Sequence, residues 1–289
     1  HAFCASKVIT HPLVSPDAVA PRGWSPACGE SMCDVALPGY SAFSAKDAMA
    51  AGERLLELGK VRVKKSWGVG GSGQSVADSR EALREQLEAI EPDALGRQGI
   101  VLELNLASLE TYGIGQVQVG PWTVSYYGTQ SLTRNHHGHE VYGGSELKLV
   151  RGDFEALLSL ELAPELRTAI EQAVAYHRNA HRHFNGMFAS RSNYDVAQGR
   201  DEAGRFHSGV LEQSWRIGGA SGAEIGALHA FKAEPGLQRV RASTHEVYLG
   251  EQDDSLALLP PDAQVLFDGT DERAGRLMKY VRVQAYADA

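Results

Sequence analysis

The chain is short of cysteine. Cys4, Cys28 and Cys33 are the only three in 289 residues, and all lie near the start. That is too few, too clustered and odd in number for a disulfide scaffold. No Cys/His group with zinc-ligand spacing accompanies them, so reduced structural thiols are expected. Long apolar runs are also missing. Nothing approaches the roughly 20 residues that span a bilayer, so no transmembrane helix and no membrane partner are expected. Positive charge is in deficit, with 28 Lys+Arg against 36 Asp+Glu and a formal net charge of -8. Proteins that hold nucleic acid cluster Lys and Arg against phosphates, so no nucleic-acid partner is expected. There is no signal-peptide pattern, which fits a cytoplasmic protein. The chain begins with His1 rather than Met, and a start trimmed from a longer protein is the expectation. No nucleophile elbow occurs, no Gly-Lys-Ser/Thr closes a glycine loop, and no glycine fingerprint sits in a βαβ unit.

What is present is an ordinary globular balance, 43% hydrophobic and 22% charged, long enough for one large α/β domain or two smaller ones. Breakers crowd residues 1–35, where a short helix near Phe3–Thr10 precedes an irregular stretch. Leu37–Tyr40 reads as a turn into a strand. Ser44 caps a helix over Ala45–Leu58 with Asp47 at its third position, and Gly59 ends it. Val61–Lys64 alternates as a strand. Ser79 opens a helix through Ile90, stopped by Pro92, and Ile100–Leu106 is an apolar strand. Tyr112–Val119 and Trp122–Thr129 form a hairpin about Gly120-Pro121. Residues 134–146 read as a polar loop, Pro164–His183 as a long helix and Ser221–Lys232 as another. A late strand covers Tyr280–Tyr286. The order is mixed α+β, with no internal repeat.

Two segments carry chemistry. Lys64-Lys65-Ser66-Trp67-Gly68-Val69-Gly70-Gly71-Ser72-Gly73-Gln74 lies between a strand and a helix. Glycines there leave backbone N–H groups open to an anion, and lysine adds a mobile ammonium. Taken alone, this loop is equally a hairpin tip. Further on, Asn193–Ala197 and Val210–Ser214 are two strands around the polar turn Gly199–Arg205, each with an acid at its middle, Asp195 and Glu212. Adjacent carboxylates repel unless a cation lies between them, and magnesium takes one or two carboxylates with phosphate oxygens and water. The alternative is a surface hairpin with solvated acids, against which the apolar Val196, Val210 and Leu211 weigh. Trp215–Gly222 is a second glycine-rich turn, with Arg216 able to grip an anion. Ser221 is either part of that site or a helix cap with Glu224 as its capping-box partner. His136, His137 and His139 are either a metal site or, as a Gly-rich polar loop favours, solvated loop residues, and His177, His181 and His183 read as structural or substrate-facing.

In their order these segments resemble the ATP-grasp superfamily, over roughly residues 35 to 235, and are closest to an uncharacterised bacterial branch of it. Val61–Lys64 with Gly68–Gly73 is similar to its strand–lysine–glycine-loop segment, Ile100–Leu104 to its hinge strand, and Asp195 with Glu212–Gly219 to its metal acids and the run that follows. The resemblance implies an α+β ATP-grasp fold, two α+β subdomains gripping a nucleotide, with a truncated or partial N-terminal region. It divides the chain into a remnant over 1–45, a subdomain over 46–106 with the glycine loop, a subdomain over 107–240 with the metal acids, and a C-terminal extension over 241–289. It implies ATP and Mg as cofactors, with Lys64, Lys65, Gly70, Gly71, Gly73, Gln74, Glu103 and Leu104 at the nucleotide. Asp195, Glu212 and Ser214 hold the metal. Arg216, with Arg134 and Lys148 as helpers, stabilises the transferred phosphoryl group. Two departures stand out. Ser214 replaces the usual Asn, which predicts weaker metal binding, and Lys65 replaces a proline, which leaves open which lysine reaches phosphate. The implied activity is a ligase that turns a small-molecule carboxylate into an acyl phosphate and joins it to an amine or thiol acceptor. A small-molecule kinase and a non-catalytic nucleotide-binding regulatory module remain as alternatives, and a homodimer is compatible with the sequence.

Overall fold

A computed structural model describes residues 2–66, 73–250, 253, 257, 259–272 and 274–285. The chain forms two compact units. The first comprises His1–Thr111, Ala163–Ala189 and Tyr194–Ser214, and the second Tyr112–Leu162, Ser190–Asn193 and Trp215–Ala289.

In the first unit, two short 3-10 helices, Ala2–Ala5 and Lys7–Thr10, stand where one helix was expected. The stretch read as irregular contains α1 (Pro26–Ser31). Pro26 starts it, because a proline at the first helical position loses no hydrogen bond, and Ser25 Oγ caps it by accepting from Cys28 N–H at 3.2 Å. β1 is Gly39–Ala42 and α2 is Ala45–Leu56. Asp47 N–H donates to Ser44 Oγ at 3.1 Å, the cap that the sequence predicts. β2 (Val61–Lys65), β3 (Gln74–Ala77), α3 (Arg80–Glu88), α4 (Pro92–Gln98) and β4 (Ile100–Leu104) follow. Pro92 does not merely end a helix. It sits in the first turn of α4, for the same reason as Pro26.

The strands form an antiparallel sheet in the order β1-β4-β2-β3. Side chains alternate across it. Val61, Val63, Ile100 and Leu102 pack with Ala48, Ala51 and Leu55 of α2 and with Leu83 and Leu87 of α3. Each fully buried leucine there contributes about 1.5–3 kcal/mol. Arg62, Lys64 and Glu103, at the alternate positions, belong to the opposite face. α5 is Phe154–Leu158, in the second unit, and α6 is Pro164–His183, the long helix predicted. The first unit closes with the hairpin of β8 (Arg191–Arg200) and β9 (Phe206–Ser214). Its turn is held by Asp201, which accepts from Arg205 N–H at 2.9 Å and from Arg205 Nε at 2.8 Å.

The second unit is built on an antiparallel sheet in the order β11-β12-β10-β7-β6-β5. Its strands are β5 (Ser108–Val119), β6 (Trp122–Arg134), β7 (Glu140–Arg151), β10 (Arg239–Tyr248), β11 (Ala263–Asp271) and β12 (Gly275–Ala285). Residues 134–146 are therefore a tight turn and the first half of a strand rather than a loop. Gly144 is required there, since a Cβ would come within 2.1 Å of Thr244 O on the neighbouring strand. α7 (Ser221–Ala233) lays Ala223, Ala227 and Phe231 on Tyr126, Leu147, Leu149, Val240, Ala242 and Val281. One sheet face is thus buried under α7. No helix among the described residues is long and apolar enough to cross a membrane. Cys4, Cys28 and Cys33 are all free thiols.

Candidate functional site

The glycine loop joins β2 to β3. Lys64 lies opposite Gln74, and Lys65 N–H donates to Gly73 O at 2.9 Å, so both ends of the loop are fixed by the hairpin ladder. Gly73 has φ +71. Gly70 and Gly71 lie outside the described residues. Gln74 Oε1 accepts from Arg62 Nη1 at 3.2 Å, and Arg62 Nη2 donates to Asn105 Oδ1 at 2.6 Å.

Period-two alternation brings Lys64 and Glu103 onto one face of the sheet, and they form an ion pair there. Both are almost fully buried, at 3% and 1% exposure. His11, also buried, closes over them, with Nε2 3.5 Å from Glu103 Oε2. That distance is too long for a good hydrogen bond, and neither atom has another hydrogen-bond partner. Gly39 makes room for the ring, since a Cβ there would stand 2.8 Å from His11 Cε1 and 2.7 Å from Leu102 O. Burial pushes the Glu103 carboxyl up, but the Lys64 ammonium and the His11 ring outweigh it and hold it below its ordinary value. Burial lowers His11 against the pull of Glu103, which favours the neutral ring. The Leu104 amide is also engaged, donating to Pro38 O at 2.8 Å. Sequence reasoning did not find His11. Its only trace was a histidine in a proline-rich stretch.

The acids of the second motif lie mid-strand, Asp195 on β8 and Glu212 on β9, half-buried among Tyr194, Val196 and Val210, which are fully buried. Ser214 closes β9, also half-buried. Glu212 meets Lys7 at 2.5 Å, and Lys7 is itself 5% exposed. Lys7 is the second group that the sequence reading missed. Next to it, Gln213 Nε2 donates to Ser6 O at 2.7 Å, and its Oε1 accepts from Tyr176 Oη at 3.0 Å. β9 therefore fastens the N-terminal segment. All these residues belong to the first unit.

Arg216, Arg134 and Lys148 belong to the second unit. Arg216 is exposed in the turn before α7. Arg134 is exposed at the end of β6, opposite Glu140, whereas Lys148 lies opposite Tyr127. Seven residues of extended strand separate Tyr127 from Arg134, roughly 20 Å, so those two helpers do not share a site. The turn before α7 differs from its expected form. Ser221 is the first helical residue rather than the cap, and its Oγ accepts from Gly218 N–H at 3.1 Å. Glu224 is not a capping partner. It is buried at 3% and accepts from Arg191 Nη2 at 2.8 Å and Tyr126 Oη at 2.6 Å.

The histidines have local partners. His137 and His139 N–H both donate to Asn135 Oδ1 at 3.0 Å, and His136 Nε2 lies 2.9 Å from Arg276 O. His177 Nδ1 lies 2.7 Å from Tyr194 Oη, with the His181 ring 4.1 Å away. Burial, then the charges of His181 and Arg178, lower His177 to about 4. The fold thus holds this ring neutral, and between about 4 and 6.5 the unfolded chain binds more protons at this site. Stability is expected to fall as pH drops through that window. His177→Asn is expected to flatten that part of the profile, as read by urea unfolding at stepped pH. An unchanged slope would show that His177 does not carry it.

No curated protein matches the chain. Among solved structures, phosphoribosylamine–glycine ligase from Thermotoga maritima aligns with a TM-score of 0.50 at 14% identity, covering 89% of this chain and 69% of that one. N5-carboxyaminoimidazole synthetase from Staphylococcus aureus aligns with a TM-score of 0.49 at 14% identity, covering 89% of this chain and 66% of that one. The chain therefore spans about two thirds of their length. The likeness to the Thermotoga maritima enzyme is one of fold, and the α+β ATP-grasp fold expected from the sequence is the fold observed. The family described as "Protein of unknown function (DUF3182)" matches residues 1–281, and the chain belongs to that family.

Proposed function

We propose that the chain is an ATP- and magnesium-dependent ligase that activates a carboxylate as an acyl phosphate and joins it to an amine or thiol. The observation that carries this reading is the β8–β9 hairpin. It sets two half-buried carboxylates, Asp195 and Glu212, mid-strand in the same unit as the β2–β3 lysine and glycine loop.

The donor set suits the ion. Two carboxylates and the Ser214 hydroxyl are hard oxygen ligands, and Glu212 already attracts a cation in Lys7. Among the described residues no group of three or more His, Cys, Asp or Glu could hold a metal. The protein would therefore supply part of the coordination, and phosphate oxygens and water the rest. When bound, magnesium neutralises phosphate charge.

The chain's own groups do the positioning. Lys65, half-buried at the mouth of the glycine loop, is placed to meet an anion there, whereas Lys64 is buried in its ion pair with Glu103. Gly73 and Gln74 begin the strand end of the loop, and the resemblance assigns the N–H groups of Gly70, Gly71 and Gly73 to the phosphates. Glu103 and Leu104 belong to the strand assigned to the adenine and ribose. Arg216, with Lys148 or Arg134, offsets charge on the phosphoryl group in flight.

Calorimetric titration with a non-hydrolysable ATP analogue, with and without magnesium, tests the reading. Magnesium-dependent binding is expected, weakened roughly 100-fold or more in Asp195→Ala/Glu212→Ala, since a metal contact is worth several kcal/mol. A folded chain that binds no analogue, or a double variant that binds as well as the parent, would remove the proposal.

A further inference from the structure

His11 stands beside a buried charge to which it makes no hydrogen bond. The ring is 1% exposed, and its segment is fixed on both sides. Ser41 Oγ donates to Val8 O at 2.5 Å, Ser41 N–H donates to Pro12 O at 2.8 Å, and Thr10 Oγ1 lies 3.0 Å from Tyr176 Oη. The chain on either side therefore holds the ring over Glu103. The two oxygens of that carboxylate are used unequally. Oε1 is paired with Lys64, whereas Oε2 and His11 Nε2 face each other at 3.5 Å with no hydrogen-bond partner among the described residues. A nitrogen lone pair and a carboxylate oxygen repel, but a proton on Nε2 turns the same contact into a charge-assisted hydrogen bond. Closing it takes a shift of roughly 0.7 Å.

Lys64 is the lysine that the resemblance assigns to the phosphates. It cannot leave Glu103 for an anion without stranding a carboxylate that is itself 1% exposed, unless another positive charge takes its place. Among the described residues, charge reaches Glu103 from Lys64 and His11. Charge reaches His11 in turn from Glu103 on β4 and Lys64 on β2. Of the other elements packed on the Lys7–Thr10 turn, β1 meets the ring with Gly39, and Glu212 of β9 is paired with Lys7. Glu30 of α1 is exposed, and the Ala2–Ala5 turn carries the half-buried Cys4. His11 is thus the group placed to replace the ammonium, and as a neutral ring it must gain a proton to do so.

We propose that His11 is a positioning residue of the nucleotide site: when a phosphate draws Lys64 away, His11 Nε2 takes a proton from solvent and replaces the ammonium at Glu103. The buried carboxylate stays paired, the lysine charge goes to the phosphate, and one proton is taken up from water for each nucleotide bound. Affinity therefore falls as pH rises, because the bound state holds the extra proton. The proposal deepens the nucleotide reading of the site, on which it rests, and it names Lys64 as the lysine that moves.

Titration calorimetry of the whole chain with the non-hydrolysable ATP analogue and magnesium, in HEPES and in Tris at one pH, reads the proton. The parent is expected to show an apparent enthalpy that differs between the buffers in the sense of uptake. Its Kd is expected to rise with pH by up to about tenfold per unit, the limit for one proton. His11→Gln, whose amide can donate to Glu103 without a proton, is expected to bind with the buffer difference lost and a flatter pH profile, and His11→Asn serves if that variant fails to fold. Protons carried by the analogue itself are common to both proteins, so the difference between them is the result. A second measurement needs no nucleotide. In Lys64→Met, or Lys64→Gln if the first does not fold, the His11 ring is expected to titrate above its ordinary value, followed by NMR on the signal that His11→Gln lacks. Parent binding with the same apparent enthalpy in both buffers, or His11→Gln as buffer-dependent as the parent, would overturn the proposal and leave the ligase reading standing. A ring that still titrates below its ordinary value in the Lys64 variants would overturn it too, since Glu103 then takes the proton itself. A folded chain that binds no analogue removes the ligase reading and this exchange with it.

Discussion

Glu103→Leu is expected to destabilise the protein by about 3–5 kcal/mol, because it leaves the Lys64 ammonium buried without its counter-charge. Lys64 is 3% exposed and β2 lies inside a four-stranded sheet, so the charge has no short path to water. Leucine keeps much of the volume, so the cost is electrostatic rather than a cavity. The double variant Lys64→Met/Glu103→Leu is expected to recover most of the loss, since replacing both members of a buried pair is often neutral. The pH dependence follows from the lowered Glu103 carboxyl. Its contribution is present above the unfolded carboxylate range and is lost as pH falls through the folded value, so the parent should lose stability in acid that the double variant keeps. Urea unfolding of the three proteins reads all of this. A single variant within about 1 kcal/mol of the parent would show that the pair is not closed off from water.

Arg191→Met is expected to cost a similar amount, about 3–5 kcal/mol, by stranding Glu224. Arg191 Nε lies 3.1 Å from both Glu224 oxygens, and without it the carboxylate keeps the hydroxyl of Tyr126 as a neutral donor in the core under α7. At this size each kcal/mol corresponds to roughly 2–4 °C, so a drop in Tm of about 10 °C is expected in a thermal melt. The variant also releases the turn before α7, because Arg191 Nη1 donates to Arg216 O at 2.7 Å. If the ligase reading holds, activity at a temperature where the variant is still folded falls further than stability alone requires. An unchanged Tm would remove Glu224 as a buried, ionised anchor. Glu224→Gln should be milder, since an amide can still accept from Arg191.

Where a local rule has a local cause, the sequence was a sufficient guide. Ser44 and Asp47 mark the start of α2, the period of α6 is plain from Pro164 to His183, and Gly120-Pro121 separates β5 from β6. The two acids fall mid-strand on β8 and β9, where alternation puts them. Local rules misled where one signal has two meanings. Pro26 and Pro92 start helices as well as stopping others, so α1 and α4 were hidden. The glycines and polar residues of 140–146 read as a loop because nothing nearby says that β6 and β10 will flank them. β10 is rich in charge and short of large apolar side chains, and pairing rather than propensity makes it a strand.

The amino-acid sequence by itself determined the fold class, the main helices with their caps, and the positions of the lysine–glycine loop and the acidic hairpin, since these depend on neighbours within a few residues. Only the tertiary structure decided which charges meet. Lys64 with Glu103 and His11, Lys7 with Glu212, Arg191 with Glu224, and Lys148 facing Arg241 are set by strand register and chain reversal. Burial then makes each meeting count, because a charge shielded from water must find its partner wherever the fold brings one.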